Sequence, residues 1–432
     1  MRRLSLVLTC CAIPLGAARA QQRSLTLAEA LELAQRADPS VVQAEGTART
    51  AGAAVRAAWG EFLPRISSGA NYGKSFSALP SRTDPITGQV LGGNVTTGSL
   101  GLTASASIDL FTGFRRGANL SLNRANVTDA DASLADARAQ AALRTTSQFL
   151  QVLQSADLVR VRQDAIRRAQ DKLAIANAKL ATRAATIADS LQAVVDVSRA
   201  RSQLLQEQQG LIAAQAALAR MVGLDGQVSA SSDSSLFRLV AVGDTATLMA
   251  EAMARSPTVV KASAKVRSAR ASVGINKAGY WPSLALSGST SLSGSSTTNY
   301  DLLSGRGFSL GLSWNLFDRF ARERNLVQAH ANLEAAQASE ADARRGVSAG
   351  LTTQLGALGV AEQRIALATQ SLEAARANAR VQTERYRLGS ISIEQLNQAL
   401  DALSAAETEA VNARYDYLRA KAQIEAILGR SL

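Results

Sequence analysis

Few residues of this chain carry side chains suited to covalent or acid–base chemistry, and those few do not cluster. The one histidine, His330, lies inside a predicted long helix with no partner at ligand spacing, so no metal site is built around it. Two cysteines, Cys10 and Cys11, sit side by side near the N-terminus. There is no Ser/His/Asp constellation and no phosphate-cradling loop, so the chain is read as non-enzymatic, without cofactor or metal. Among the polar residues that do follow a spacing rule are Thr186-x-x-Asp189 and Ser392-x-x-Gln395. A hydroxyl three residues ahead of a carboxylate or amide satisfies two orphan backbone N–H groups at once, which is how a helix begins.

Long helices must therefore surround these spacings. Arg116 to Leu180 and Arg322 to Tyr386 are each about 65 residues without proline, dominated by alanine, leucine, arginine and glutamine. A helix of that length measures about 97 Å. It exceeds an average globular helix several-fold and must be packed along its length by others. Return helices of about 36 residues follow the capping sequences and end near Gly223 and Gly429, which are read as C′ glycines. Gly389 supplies a flexible residue before the second return; Arg183 stands at the same place in the first.

The N-terminus predicts export. Arg2 and Arg3 precede a short apolar run from Leu4 to Gly16, and Ala18-Arg19-Ala20 is a cleavage sequence, so residues 1–20 read as a signal peptide. Both cysteines fall inside it, which leaves no thiol for disulfides. The net charge of +12 drops to +9 once Arg2, Arg3 and Arg19 are removed. The basic residues are scattered among acids along helices, as solvated faces are, so no nucleic-acid partner is expected.

Proline spacing exposes a duplication. Pro39 and Pro64 recur as Pro257 and Pro282 at an offset of 218, and Leu110-Phe111, Asn119-Leu120 and Asp136-Ala137-Arg138 recur at 206. The first copy is 12 residues longer between Pro64 and Leu110, which predicts a longer loop there. Repeat 1 is placed at 21–224, a Ser/Gly-rich linker at 225–244 and repeat 2 at 245–432. Each copy opens with a short helix, from the capping box Thr26-x-x-Glu29 and near Asp244. Asp38-Pro39 and Ser256-Pro257 then start helices of about 25 residues, which Pro64 and Pro282 stop.

After each proline the period changes from 3.6 to 2. Leu100, Leu102, Ala104, Ala106, Ile108 and Leu110 alternate with Gly, Thr, Ser and Asp, and Leu284 to Leu292 and Phe308 to Leu316 alternate likewise. Hairpins are placed at 65–111 and 283–317, with strands of about ten residues and loops over 78–98 and 296–305. That length and alternation suit a membrane barrel, though one soluble half-buried hairpin per copy shows the same pattern. The aromatic residues favour the membrane. Nine of 18 cluster where strands meet helices: Trp59, Phe62, Phe111, Phe114, Tyr280, Trp281, Trp314, Phe317 and Phe320. Four strands cannot close a barrel, and open edges in lipid cost several kcal/mol per unpaired group, so two, three or four chains must combine.

With the duplication in hand, the sequence resembles the TolC-like outer-membrane efflux proteins, or outer membrane factors. The residues that carry the resemblance are Asn315-Leu316-Phe317-Asp318, Tyr386-x-x-Gly389-x-x-Ser392 and Ala413-Arg414-Tyr415-Asp416-Tyr417-Leu418, with the proline entering each first strand. The resemblance implies a mainly α chain of two repeats. As a homotrimer it would form a long α-helical barrel continuous with a 12-stranded β-barrel in outer-membrane lipid and extending into the periplasm. It further implies a periplasmic adaptor (membrane fusion) protein and an inner-membrane transporter as partners, in an efflux pump or type I secretion system. The periplasmic gate would then comprise Arg183, Thr186, Asp189, Arg385, Tyr386, Gly389, Ser392, Glu394 and Gln395, with Asp189 and Tyr386 at positions that pair in the closed state. Ile391 replaces the arginine expected at the second tip, and Gln395 and Gln398 replace acids, which lowers the expected cation preference. The competing expectation is a periplasmic coiled-coil or adhesin-like structural protein without a pore.

Overall fold

A computed structural model describes residues 23–88, 90–232, 237, 244–296 and 299–430, with backbone alone at 77–82 and 90–95. The export-signal expectation at 1–20 lies outside the described residues. Fourteen elements follow in order: β1 (Arg23–Leu25), α1 (Leu27–Ala37), α2 (Pro39–Gly60), β2 (Arg65–Thr83), β3 (Val90–Phe111), α3 (Arg115–Ala181), α4 (Ile187–Met221), β4 (Val228–Ala230), α5 (Thr245–Arg255), α6 (Pro257–Lys277), β5 (Ser283–Ser295), β6 (Leu303–Ser313), α7 (Ala321–Arg387) and α8 (Ile393–Leu428). The two long helices are each 67 residues, as their composition predicts. The chain is mainly helical and built from two repeats.

The compact units do not follow the repeats; each draws on both copies. One comprises Met1–Val42, Ala137–Ala252 and Ser348–Leu432. Its core is a seam of small and branched side chains. On α8, Leu396, Ala399, Leu403, Ala406, Ala413, Tyr417, Ala420 and Ile424 are buried, mostly in steps of three and four. That is the coiled-coil spacing, and its alanines let helix axes approach closely. Truncating Leu396, which is fully buried, to alanine would cost about 2–5 kcal/mol. The tyrosine motif is explained here as well. Tyr415 is buried and its hydroxyl donates to Asp157 at 2.8 Å, while Asp416 accepts from Arg364 and Arg419, each at 3.3 Å. Burial first, and Asp157 second, pushes the Tyr415 hydroxyl far above its ordinary pKa.

The supposed linker contributes to this unit. β4 pairs in parallel with β1, Arg23 opposite Val228, and Phe237 stacks edge-on against Tyr415 at 5.9 Å. Serine and glycine content hid a strand that needs only three residues.

The other unit comprises Gln43–Asp136 and Met253–Val347. Its sheet is antiparallel in the order β2-β3-β5-β6. One face carries Arg65, Ser107, Ser287 and Ser309 in one rung and Ser67, Ser105 and Ser289 in the next, with hydroxyls joined at 2.8 Å (Ser67–Ser105) and 2.7 Å (Ser287–Ser309). The opposite face carries Ile66, Ala106, Gly288 and Phe308, then Ile108, Leu286 and Leu310. The expected loop over 78–98 is corrected: strand continues to Thr83 and resumes at Val90, so the extra residues lengthen the hairpin. The strands are 19, 22, 13 and 11 residues rather than about ten. Small polar residues resemble loop in composition, but a ladder of cross-strand hydrogen bonds overrides such weak propensities.

Candidate functional site

Two regions hold the residues singled out from the sequence. At the tips of the long helices, both turns are Schellman motifs, in which the chain leaves the helix through one left-handed residue. Arg183 (φ 59°) occupies that position after α3, where Ala184 N–H donates to Lys179 O at 2.7 Å. Gly389 (φ 80°) occupies it after α7, where Ser390 N–H donates to Arg385 O at 2.8 Å. Both return helices then start on complete capping boxes. Thr186 N–H donates to Asp189 Oδ2 at 2.9 Å and Asp189 N–H to Thr186 Oγ1 at 3.2 Å. Ser392 N–H donates to Gln395 Oε1 at 3.2 Å and Gln395 N–H to Ser392 Oγ at 3.3 Å.

Between the tips the contact is made by a residue that the spacing did not single out. Lys179 Nζ donates to the Tyr386 carbonyl at 2.7 Å and sits 4.2 Å from the centre of the Tyr386 ring. Tyr386 is buried, and its hydroxyl has no hydrogen-bond partner among the described residues. Burial, and then the Asp189 charge, raises its pKa. Asp189 is near enough to be felt, but its carboxylate is engaged by Thr186. Arg183, Arg385 and Glu394 form no ion pair among the described residues, and Arg387 reaches Glu384 at 3.5 Å.

Further along α3, Lys172 is buried and donates to Asp196 Oδ2 and to Asn397 Oδ1, both at 2.5 Å. Arg168 pairs with Glu407 at 2.7 Å. These cross-links tie α3 to α4 and α8. The chain has seven lysines, and the scarcity of lysine on an arginine-rich helix was the available signal.

At the strand–helix junctions several of these aromatic residues lie in contact with one another. Phe111 and Phe114 meet edge-on at 5.4 Å, Phe114 and Trp281 at 5.8 Å, and Phe317 and Phe320 at 5.6 Å. Trp59 lies 5.7 Å from Phe62, and the Trp314 indole N–H donates to the Tyr280 carbonyl at 3.3 Å. Except for the half-buried Phe111, these rings are exposed, and arginines cover three of them: Arg116 over Phe62, Arg124 over Trp59 and Arg322 over Tyr280. Both copies turn from strand to helix through paired left-handed residues, Gly113-Phe114 and Arg319-Phe320. A Cβ at Gly113 would lie 2.5 Å from the Ala278 carbonyl oxygen, so only glycine fits there.

No helix among the described residues is long and apolar enough to cross a membrane. No group of His, Cys, Asp or Glu among them is arranged to hold a metal.

Comparison with known proteins places this architecture. Protein CyaE of Bordetella pertussis is 32% identical over 180 residues, 41% of this chain; the chain spans 38% of that relative's length. The solved structure of CusC superposes with a TM-score of 0.79 at 16% identity, covering 94% of this chain and 92% of that one. The outer membrane protein VceC of Vibrio cholerae superposes at 0.76, also at 16% identity, covering 94% and 96%. Such identities show a shared fold. The outer membrane efflux protein profile matches residues 30–224 and 248–430, nearly the whole described chain and both copies of the duplication. The chain belongs to the outer membrane efflux protein family.

Proposed function

We propose that this chain is the outer-membrane exit duct of an efflux pump or type I secretion system, assembled as a homotrimer. The supporting observation is the open sheet. Each chain supplies a sheet of four strands, and β2 and β6 end it with edges that no other strand among the described residues pairs. Pairing β6 of one copy with β2 of the next would close three chains into a barrel and satisfy those backbone groups. The hydroxyl face would line the channel, and the apolar face, flanked by the exposed aromatic cluster, would meet lipid. Exposed apolar side chains on α4 (Leu191, Leu205) and α7 (Val360, Leu367) give neighbouring copies further surface to bury.

In this reading the tips form the periplasmic gate, where an adaptor and an inner-membrane transporter would engage. Lys179 on Tyr386 would hold it shut together with the capped turns of Asp189 and Ser392. The cargo is small molecules or a secreted polypeptide delivered by the transporter.

The test is purification from outer membranes, native mass measurement and planar-bilayer recording. Three chains per particle with a low, gated conductance are expected, and Lys179→Ala, which removes the contact with the Tyr386 carbonyl and ring, should raise that conductance. A non-conducting monomer would sink the reading in favour of a structural protein.

A further inference from the structure

The two copies differ in charge where strand passes into helix. In the second copy Arg322 at the start of α7 is ion-paired, its Nε lying 3.2 Å from Asp318 Oδ2 although that nitrogen makes no hydrogen bond among the described residues. Asp318 accepts from the Arg322 backbone N–H at 3.1 Å, Glu323 lies in the first turn, and the Arg322 fork reaches the Leu316 carbonyl at 3.0 Å. In the first copy Thr112 stands where Asp318 would, and α3 opens on Arg115 and Arg116 with no acid in its first turn. Cations there oppose the helix dipole, which makes the arrangement a local cost. Local rules broken without structural compensation are expected at functional positions.

These arginines line a cavity of about 670 Å³ together with Arg65, Glu61, Asp109 and Asn119. Arg116 Nη2 is shielded from solvent and has no hydrogen-bond partner among the described residues, and its guanidinium lies over the Phe62 ring. Arg65 and Arg115 are exposed, with no ion pair among the described residues. Glu61 is engaged by the Asn119 amide at 3.3 Å. Arg65 and Asp109 stand on the hydroxyl face of the sheet, whose next rungs on β2, β3 and β5 hold Ser, Thr, Gly and Asn up to Asn71, Gly101 and Ser293, with Leu303 of β6 closing the last of them. Three cations thus face two acids at the one charged tier of an otherwise neutral stretch.

We propose that this arginine tier is an anion-attracting step in the channel wall, drawing carboxylate, phosphate or other anionic groups of the cargo from the helical duct into the barrel. It rests on the reading of the hydroxyl face as lumenal. Charges of one sign in a confined passage raise the local concentration of the opposite ion.

The test is the reversal potential of the full-length protein in planar bilayers under a KCl gradient. Arg65→Gln with Arg115→Gln should lower the chloride-to-potassium permeability ratio at least about twofold. Asp109→Asn should raise it, and Lys74→Gln, on the opposite face of β2, should leave it unchanged. Unshifted reversal potentials in both the arginine double variant and Asp109→Asn, with conductance intact, overturn the proposal. Should the double variant fail to assemble, Asp109→Asn alone decides. A wild-type protein that forms no pore refutes the channel reading itself.

Discussion

The two helix tips share a backbone and differ in side chains. Arg183 and Gly389 occupy the same left-handed position in the same Schellman turn, and Asp189 and Gln395 close the same capping box. Glycine adopts that conformation freely, whereas arginine is strained in it. The duplication has kept hydrogen-bond geometry and let chemistry diverge. One tip now presents a carboxylate and a strained cation, the other an amide and a relaxed turn.

The largest asymmetry should appear where one copy has a buried charge and the other does not. Lys172→Met removes a buried cation that joins Asp196 to Asn397, while Asp196 keeps Arg199 at 3.5 Å, so it should destabilise the helical unit by about 1–3 kcal/mol. Its counterpart Asn378, whose side chain accepts a hydrogen bond from Gln382 at 3.3 Å, should cost within about 0.5 kcal/mol when changed to alanine. Thermal unfolding followed by helical circular dichroism compares the two, and equal shifts would mean that Lys172 is not a keystone.

Next come the turns. Gly389→Val should destabilise the second tip by about 1–3 kcal/mol, and Arg183→Gly should relieve the first by about 1 kcal/mol or less. Hydrogen exchange at the Ser390 and Ala184 amides reads each turn separately. Slower exchange at Ala184 in Arg183→Gly supports strain, and faster exchange argues against it.

The smallest contrast concerns the α2 and α6 starts. Asp38 Oδ1 accepts from Ser40 N–H at 2.8 Å and its Oδ2 from Arg144 at 2.7 Å, whereas Ser256 makes no side-chain cap. Asp38→Ala should therefore cost about 1–2 kcal/mol and Ser256→Ala less. Burial pushes the Asp38 carboxyl up, but the Ser40 and Arg144 donors outweigh it and hold it below the ordinary value. A lowered folded-state pKa gives stability that is present above about pH 4, the unfolded value, and lost as pH falls through the folded value. Asp38→Asn should flatten that acid limb of the unfolding profile.

Regular features were legible because they depend on local rules. The capping boxes at Thr26, Thr186 and Ser392 formed as spelled, and Gly223 and Gly429 took left-handed conformations at their helix ends. Two kinds of feature were not. Backbone pairing by small residues, as in β4 and the upper first hairpin, leaves no hydrophobic alternation to read. Long-range side-chain contacts such as Lys179 on Tyr386 depend on which faces meet, and that information lies in packing rather than in spacing. Ser256-Pro257 shows a third limit: the motif marked a helix start correctly, yet its hydroxyl makes no capping bond there.

The longer first hairpin has a consequence for the far rim of any closed assembly. β5 accompanies β3 only as far as Ser99, and Gly98 N–H donates to Ser296 Oγ at 2.8 Å, so beyond that point Ser75–Thr83 and Val90–Thr97 pair as strands only with each other among the described residues. Three copies would therefore carry three two-stranded prongs above a continuous wall. Ribbons of two strands twist more strongly than wide sheets. The mouth of such an assembly would be crenellated rather than flat, with three prongs rising past the continuous wall.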